Sequence, residues 1–98
     1  MDHRFLGRTG VRVSRVAYGT MAFGGDADEA TARALYARAR DADINLFDCA
    51  DVYAGGESER ILGRLIAPHR DQIVLTSKAY FPTPPHGAND RGASRFHL

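Results

Sequence analysis

Three short apolar runs set the terms for this chain: Val16 to Tyr18, Asn45 to Asp48, and the run QIVLTSK. Their centres, near Ala17, Phe47 and Leu75, stand about 30 residues apart, the length of one strand-helix-strand repeat. Each gap holds an amphipathic segment. In the first, Ala32, Leu35, Tyr36 and Ala39 recur at helical spacing while Arg33, Arg38 and Arg40 fall elsewhere, and Asp26 and Asp28 stand ahead as candidate caps. In the second, GGESERILGRLIAPHR gathers Ile61, Leu62, Leu65 and Ile66 on one face, with Glu57 and Glu59 in the first turn and Pro68 as the stop. Alternation of this kind predicts an α/β arrangement, a parallel sheet with helices packed outside it. Ahead of it, RFLGRTGVRVS reads as a hairpin around Gly7 and Gly10, and residues 80–93 read as a Pro/Gly-rich loop.

Each predicted strand ends on polar or glycine residues: Gly19 and Thr20, then Asp48, then Ser77 and Lys78. In (β/α)8 barrels that end carries the chemistry, because its loops vary without disturbing the core. A hairpin and about three βα units would make up only part of such a barrel. Val16, Phe47 and Leu75 then read as its inward face, short of the opposite half of their core. Neighbouring strands lie about 4.8 Å apart, so Asp48 and Lys78 are expected side by side, with Tyr53 folding back over them. An ammonium beside a phenol favours the ionised oxygen, and a carboxylate holds the ammonium charged. The trio is a candidate proton donor.

Other classes fall away. Thirteen basic against twelve acidic residues leave a net charge of +1, with no basic stripe for nucleic acid. There is no run of 18 or more apolar residues and no apolar leader, so no membrane partner is expected. The lone Cys49 allows no internal disulfide, which suits a reducing, cytoplasmic setting. His3, His69, His86 and His97 lack metal-ligand spacing, and no metal is expected. Neither GxGxxG nor YxxxK occurs, against a Rossmann-type reductase.

The segments GTMAFGG, INLFDCADVYAGGESERILG, IVLTSK and NDRGASR resemble the successive N-terminal motifs of the aldo-keto reductases, over nearly the whole chain. The resemblance implies NADPH-dependent reduction of a small-molecule carbonyl on a (β/α)8 (TIM) barrel. It assigns catalysis to Asp48, Tyr53 and Lys78, with Tyr53 protonating the carbonyl oxygen as hydride arrives. It also implies cofactor contacts from Gly19, Thr20, Met21 and Asp48. Cys49 stands where threonine is common and Ala54 where glycine is usual, and both read as harmless because both are small. The family's histidine after the fourth strand and its adenosine-phosphate site have no counterpart here, and His86 and His97 are out of place for that role. Residues 1–98 are therefore expected to be a partial, truncated oxidoreductase domain, inactive by itself. The alternative is a catalytically silent remnant, or a regulatory module of the same fold.

Overall fold

A computed structural model describes residues 1–98, and its elements follow the predicted order. They are β1 (His3–Phe5), β2 (Arg12–Ser14), β3 (Ala17–Gly19), α1 (Glu29–Asp41), β4 (Leu46–Asp48), α2 (Glu57–Ile66) and β5 (Val74–Thr76). Strands β1 and β2 pair antiparallel, closed by a turn in which Leu6 N–H donates to the Val11 carbonyl at 2.8 Å. Strands β3, β4 and β5 form a parallel sheet in chain order. Asn45 joins the two sheets. Its Oδ1 accepts from Ser14 N–H at 2.7 Å and its Nδ2 donates to the Arg12 carbonyl at 3.0 Å.

The register sets Tyr18, Phe47 and Leu75 in one row and Gly19, Asp48 and Thr76 in the next. Successive residues of a strand point to opposite faces, so these rows serve opposite sides. The first row faces the helices. Phe47 is fully buried, its ring centroid 5.0 Å from that of Tyr36 and 5.9 Å from that of Tyr18. Around it pack Ala32 and Ala39 of α1, Ile61, Leu62, Leu65 and Ile66 of α2, and the flanking Ile44 and Ile73. Burying one such aromatic contributes roughly 1.5 to 3 kcal/mol.

Two expectations are corrected by this packing. Phe47 and Leu75 do not fill a barrel interior; they pack on the side of the sheet that carries the helices, Phe47 fully buried and Leu75 partly. Val16 lies ahead of β3 and is 51% exposed, and Tyr18 takes its place in the row. On α1 the buried stripe is Ala32, Tyr36 and Ala39, while Leu35 is 39% exposed. Two alanines let the helix approach on a narrow seam, and Leu35 falls on its flank.

Helix ends follow local chemistry. Asp28 caps α1, its carboxylate accepting from Thr31 N–H at 2.8 Å, as N-cap aspartates do. Helix α2 has Gly56 at its N-cap with no side-chain cap, and Glu57 and Glu59 in its first turn favour the positive end of the helix dipole. Beyond Ile66 the chain runs on into a tighter 3-10 turn, Ala67–Gln72, that accommodates Pro68. Arg64 of α2 pairs with Glu29 of α1 at 2.7 Å.

The glycine-rich loop after β3 meets α2 at Gly24, whose φ is +83°, and a Cβ there would stand 2.7 Å from the Glu57 Cβ. A Gly24→Ala change therefore combines left-handed strain with a steric clash and is expected to cost about 2 to 4 kcal/mol locally. The measurement is amide exchange, which should accelerate at Ala27 and Ser58. Unchanged protection at both would show that the loop does not need this close approach.

Candidate active site

Asp48, Thr76 and Lys78 come together because the register makes them neighbours. Asp48 and Thr76 are paired residues of β4 and β5, and Lys78 follows two positions later, where the chain is still tied across by Asp51 N–H donating to the Lys78 carbonyl at 3.2 Å. Tyr53 arrives from the other side. It opens a 3-10 turn, Tyr53–Gly56, whose next three residues all have positive φ: Ala54 at +50°, Gly55 at +62° and Gly56 at +96°. That left-handed run folds the chain back over the strand ends.

The Lys78 ammonium is the centre of the cluster. Its Nζ donates to Asp48 Oδ2 at 2.8 Å, to the Cys49 carbonyl at 2.7 Å and to Tyr53 Oη at 3.2 Å. A lysine has three donors, and here each has an acceptor. The Nζ also stands 4.9 Å from the centre of the Tyr53 ring. The other Asp48 oxygen, Oδ1, accepts from the Thr76 hydroxyl at 2.6 Å. Charge follows contact. The Lys78 and Thr76 hydrogen bonds hold the Asp48 carboxyl below the usual carboxylate range, and the Asp48 and Tyr53 contacts hold Lys78 above the usual range for an ammonium. Both side chains are about half exposed, so solvent screens the pair. The Tyr53 hydroxyl accepts from Lys78 and leaves its own proton without an acceptor in the chain.

Beneath the rim lies a buried polar chain. The Thr20 hydroxyl donates to the Asp48 carbonyl at 3.0 Å, and Ser58 Oγ reaches the Thr20 carbonyl at 2.7 Å and the Cys49 Sγ at 3.4 Å. Thr20, Ser58 and Cys49 are all buried. The loops after β3 and β4 are thus fastened to the first turn of α2.

Asp48, Tyr53 and Lys78, expected together from the sequence, lie within hydrogen-bond reach of one another through Lys78. Gly19 is exposed beside Asp48 in the register, and a Cβ added to it would meet nothing within 4 Å. Met21 is 69% exposed. The Thr20 side chain is turned inward, engaged with the Asp48 backbone. Small size does not make Ala54 harmless: its φ of +50° makes backbone conformation the reason glycine suits the position, and alanine there costs about 1 kcal/mol. Thr76, the Cys49 carbonyl and Ser58 were missed. Ser58 had left a signal, a polar residue on the same stripe as Ile61, Leu62 and Leu65. A largely apolar cavity of about 440 Å³ opens beside the Tyr53 and Lys78 side chains, walled by Val52, Ala79, Tyr80 and Phe81. A more polar cleft of about 710 Å³ lies between α2 and the C-terminal loop and is not lined by Tyr53.

Comparison with known proteins places this geometry in context. A family model described as the aldo/keto reductase family matches residues 15–96. The chain is 42% identical over 108 residues to the uncharacterized oxidoreductase YrpG of Bacillus subtilis, covering all of this chain and 33% of that protein. It is 39% identical over 102 residues to a protein of Oryza sativa named as a probable voltage-gated potassium channel subunit beta, covering all of this chain and 30% of that one. Among solved structures, the holo form of the aldo-keto reductase AKR11C1 from Bacillus halodurans superposes with a TM-score of 0.76 at 31% identity, over 89% of this chain and 29% of its own. The chain spans about a third of the length of the curated relatives it matches.

The pKa directions predict a pH window for the cluster. Asp48 is depressed, so the stability its pairing contributes is present above the ordinary carboxyl value, near 4, and lost as pH falls through the lower folded value. Lys78 is raised, so its contribution is present below the ordinary ammonium value, near 10, and lost as pH rises through the higher folded one. Carboxyl-carbon NMR of ¹³C-labelled aspartate should find Asp48 titrating below the ordinary carboxyl value. Titration at or above the ordinary value would remove the ion pair.

Proposed function

The chain belongs to the aldo/keto reductase family, and on that footing we propose that it contributes the proton-donating part of an NADPH-dependent carbonyl reductase. The observation that carries this reading is the Tyr53 hydroxyl, which accepts from Lys78 and keeps its own proton free, on a residue that helps line the apolar cavity. A small aldehyde or ketone held there presents its oxygen to Tyr53. Tyr53 gives up its proton as the carbonyl carbon is reduced, and the phenolate that remains is stabilised by the adjacent ammonium of Lys78. Asp48 keeps Lys78 charged and oriented, and water returns the proton to Tyr53. General-acid help of this kind is worth about 10²- to 10⁴-fold in rate.

Bound NADPH would supply the hydride. The residues present suit it: Gly19 leaves open space beside Asp48, room for a flat ring to lie against the strand end, and exposed Met21 flanks it. Thr20 serves from beneath, by holding the Asp48 carbonyl. Residues 1–98 form, in this reading, a partial oxidoreductase domain with residues 80–93 as a loop on the substrate side. No helix is long and apolar enough to cross a membrane, and a cytoplasmic setting belongs to the same proposal. The relative named as a channel subunit supports a second reading, a regulatory module of this fold, and turnover separates the two.

The test seats residues 1–98 in place of the matching third of the Bacillus subtilis relative. The chimera is expected to oxidise NADPH with a generic aldehyde, and Tyr53→Phe to lower turnover by about 10² or more with NADPH binding retained in a fluorescence titration. Undiminished turnover in Tyr53→Phe would overturn the role. Residues 1–98 alone are expected to be silent in the same assay, and measurable turnover by them would show that the segment needs no further part of a barrel.

A further inference from the structure

Asp48 is held at both ends of its carboxylate, and only one of the holders is a residue assigned above. Lys78 takes Oδ2 at 2.8 Å; the Thr76 hydroxyl takes Oδ1 at 2.6 Å. An aspartate carboxylate turns easily, because its terminal torsion is broad and roughly two-fold. One contact, to a flexible lysine that is itself half exposed, leaves the plane of the carboxylate free. Two contacts on different oxygens fix it. We propose that Thr76 is a positioning residue, whose hydroxyl pins one oxygen of Asp48 so that the other is aimed at Lys78.

The backbone makes Thr76 suited to this. It is the register partner of Asp48 on the adjacent strand, so both side chains leave the same face about 4.8 Å apart. Its own carbonyl accepts from Cys49 N–H at 2.8 Å, which fastens the strand end. A β-branched side chain has restricted χ1 freedom, so the hydroxyl is presented in one place. The effect passes on by contact. Asp48 aims Lys78, and Lys78 donates to Tyr53. Without the hydroxyl, water takes Oδ1, the carboxylate swings, and the ammonium loses its directed acceptor. Thr76 and Lys78 are two residues apart, which keeps both on the Asp48 side of the sheet.

The catalytic consequence rests on the proposed function; the pinning itself does not. Thr76→Val keeps the shape and removes the hydroxyl, and Thr76→Ser keeps the hydroxyl. In the full chain, ¹³C titration of Asp48 should move to higher pH in Thr76→Val and return towards wild type in Thr76→Ser. In the chimera, Thr76→Val should lower kcat about tenfold with KM little changed, and Thr76→Ser should restore most of it. An Asp48 titration identical in Thr76→Val and wild type would overturn the pinning. Equal kcat in Thr76→Val and an active parent would overturn its consequence. An inactive parent chimera would count against the reductase reading, and the titration would still decide the role of Thr76.

Discussion

Burial of Phe47 decides the direction of every other side chain in the three-stranded sheet. Its ring packs against Tyr36 and Tyr18 and under the aliphatic face of α2, and it is fully buried. A strand has only two faces, so with Phe47 committed to the helices, Asp48 must leave on the other side. The parallel register carries that choice across to Gly19 and Thr76. A slip of one residue would expose the phenylalanine and bury the aspartate together. The hydrophobic core and the polar rim are therefore alternatives of one geometric decision.

The polar chain beneath the rim turns that decision into a position. Thr20, Ser58 and the backbone of Asp48 are linked by hydrogen bonds out of reach of water. Buried groups of this kind cost about 1 to 3 kcal/mol each when left unpaired, so they resist drift more strongly than an exposed contact would. They tie the loop after β3 and the start of α2 to the strand that bears the carboxylate. Gly24 permits the same approach by having no side chain where Glu57 passes. Backbone proximity and buried polarity thus act on one junction.

Alternation of strands and helices was legible because hydrophobic period reports it directly, and the clustering of Asp48, Tyr53 and Lys78 followed from strand ends and a specific motif. Helix ends were legible where a side chain makes them: Asp28 caps α1, although Asp26 looked equally able. What could not be read was the partner of each face. Period two separates Phe47 from Asp48 but does not say which side holds the helices, and so the sequence alone leaves the row of Phe47 and Leu75 free to read as a barrel filling. Thr76 carries no mark in the sequence beyond ending an apolar run, since its hydroxyl matters only across the sheet. Ala54 looked conservative in volume, since φ leaves no trace in a single sequence.

Full occupation of the Lys78 ammonium bears on which molecules the rim will tolerate. All three of its protons point at protein acceptors, and its charge is matched by Asp48. An anion drawn to the rim, such as the carboxylate formed when an aldehyde is oxidised, finds a neutralised cation and a fixed negative neighbour. On the function proposed above, a neutral carbonyl asks for a single proton, which Tyr53 would supply. On that same proposal, discrimination between an uncharged oxygen and a charged one would follow from the hydrogen-bond count of a single lysine.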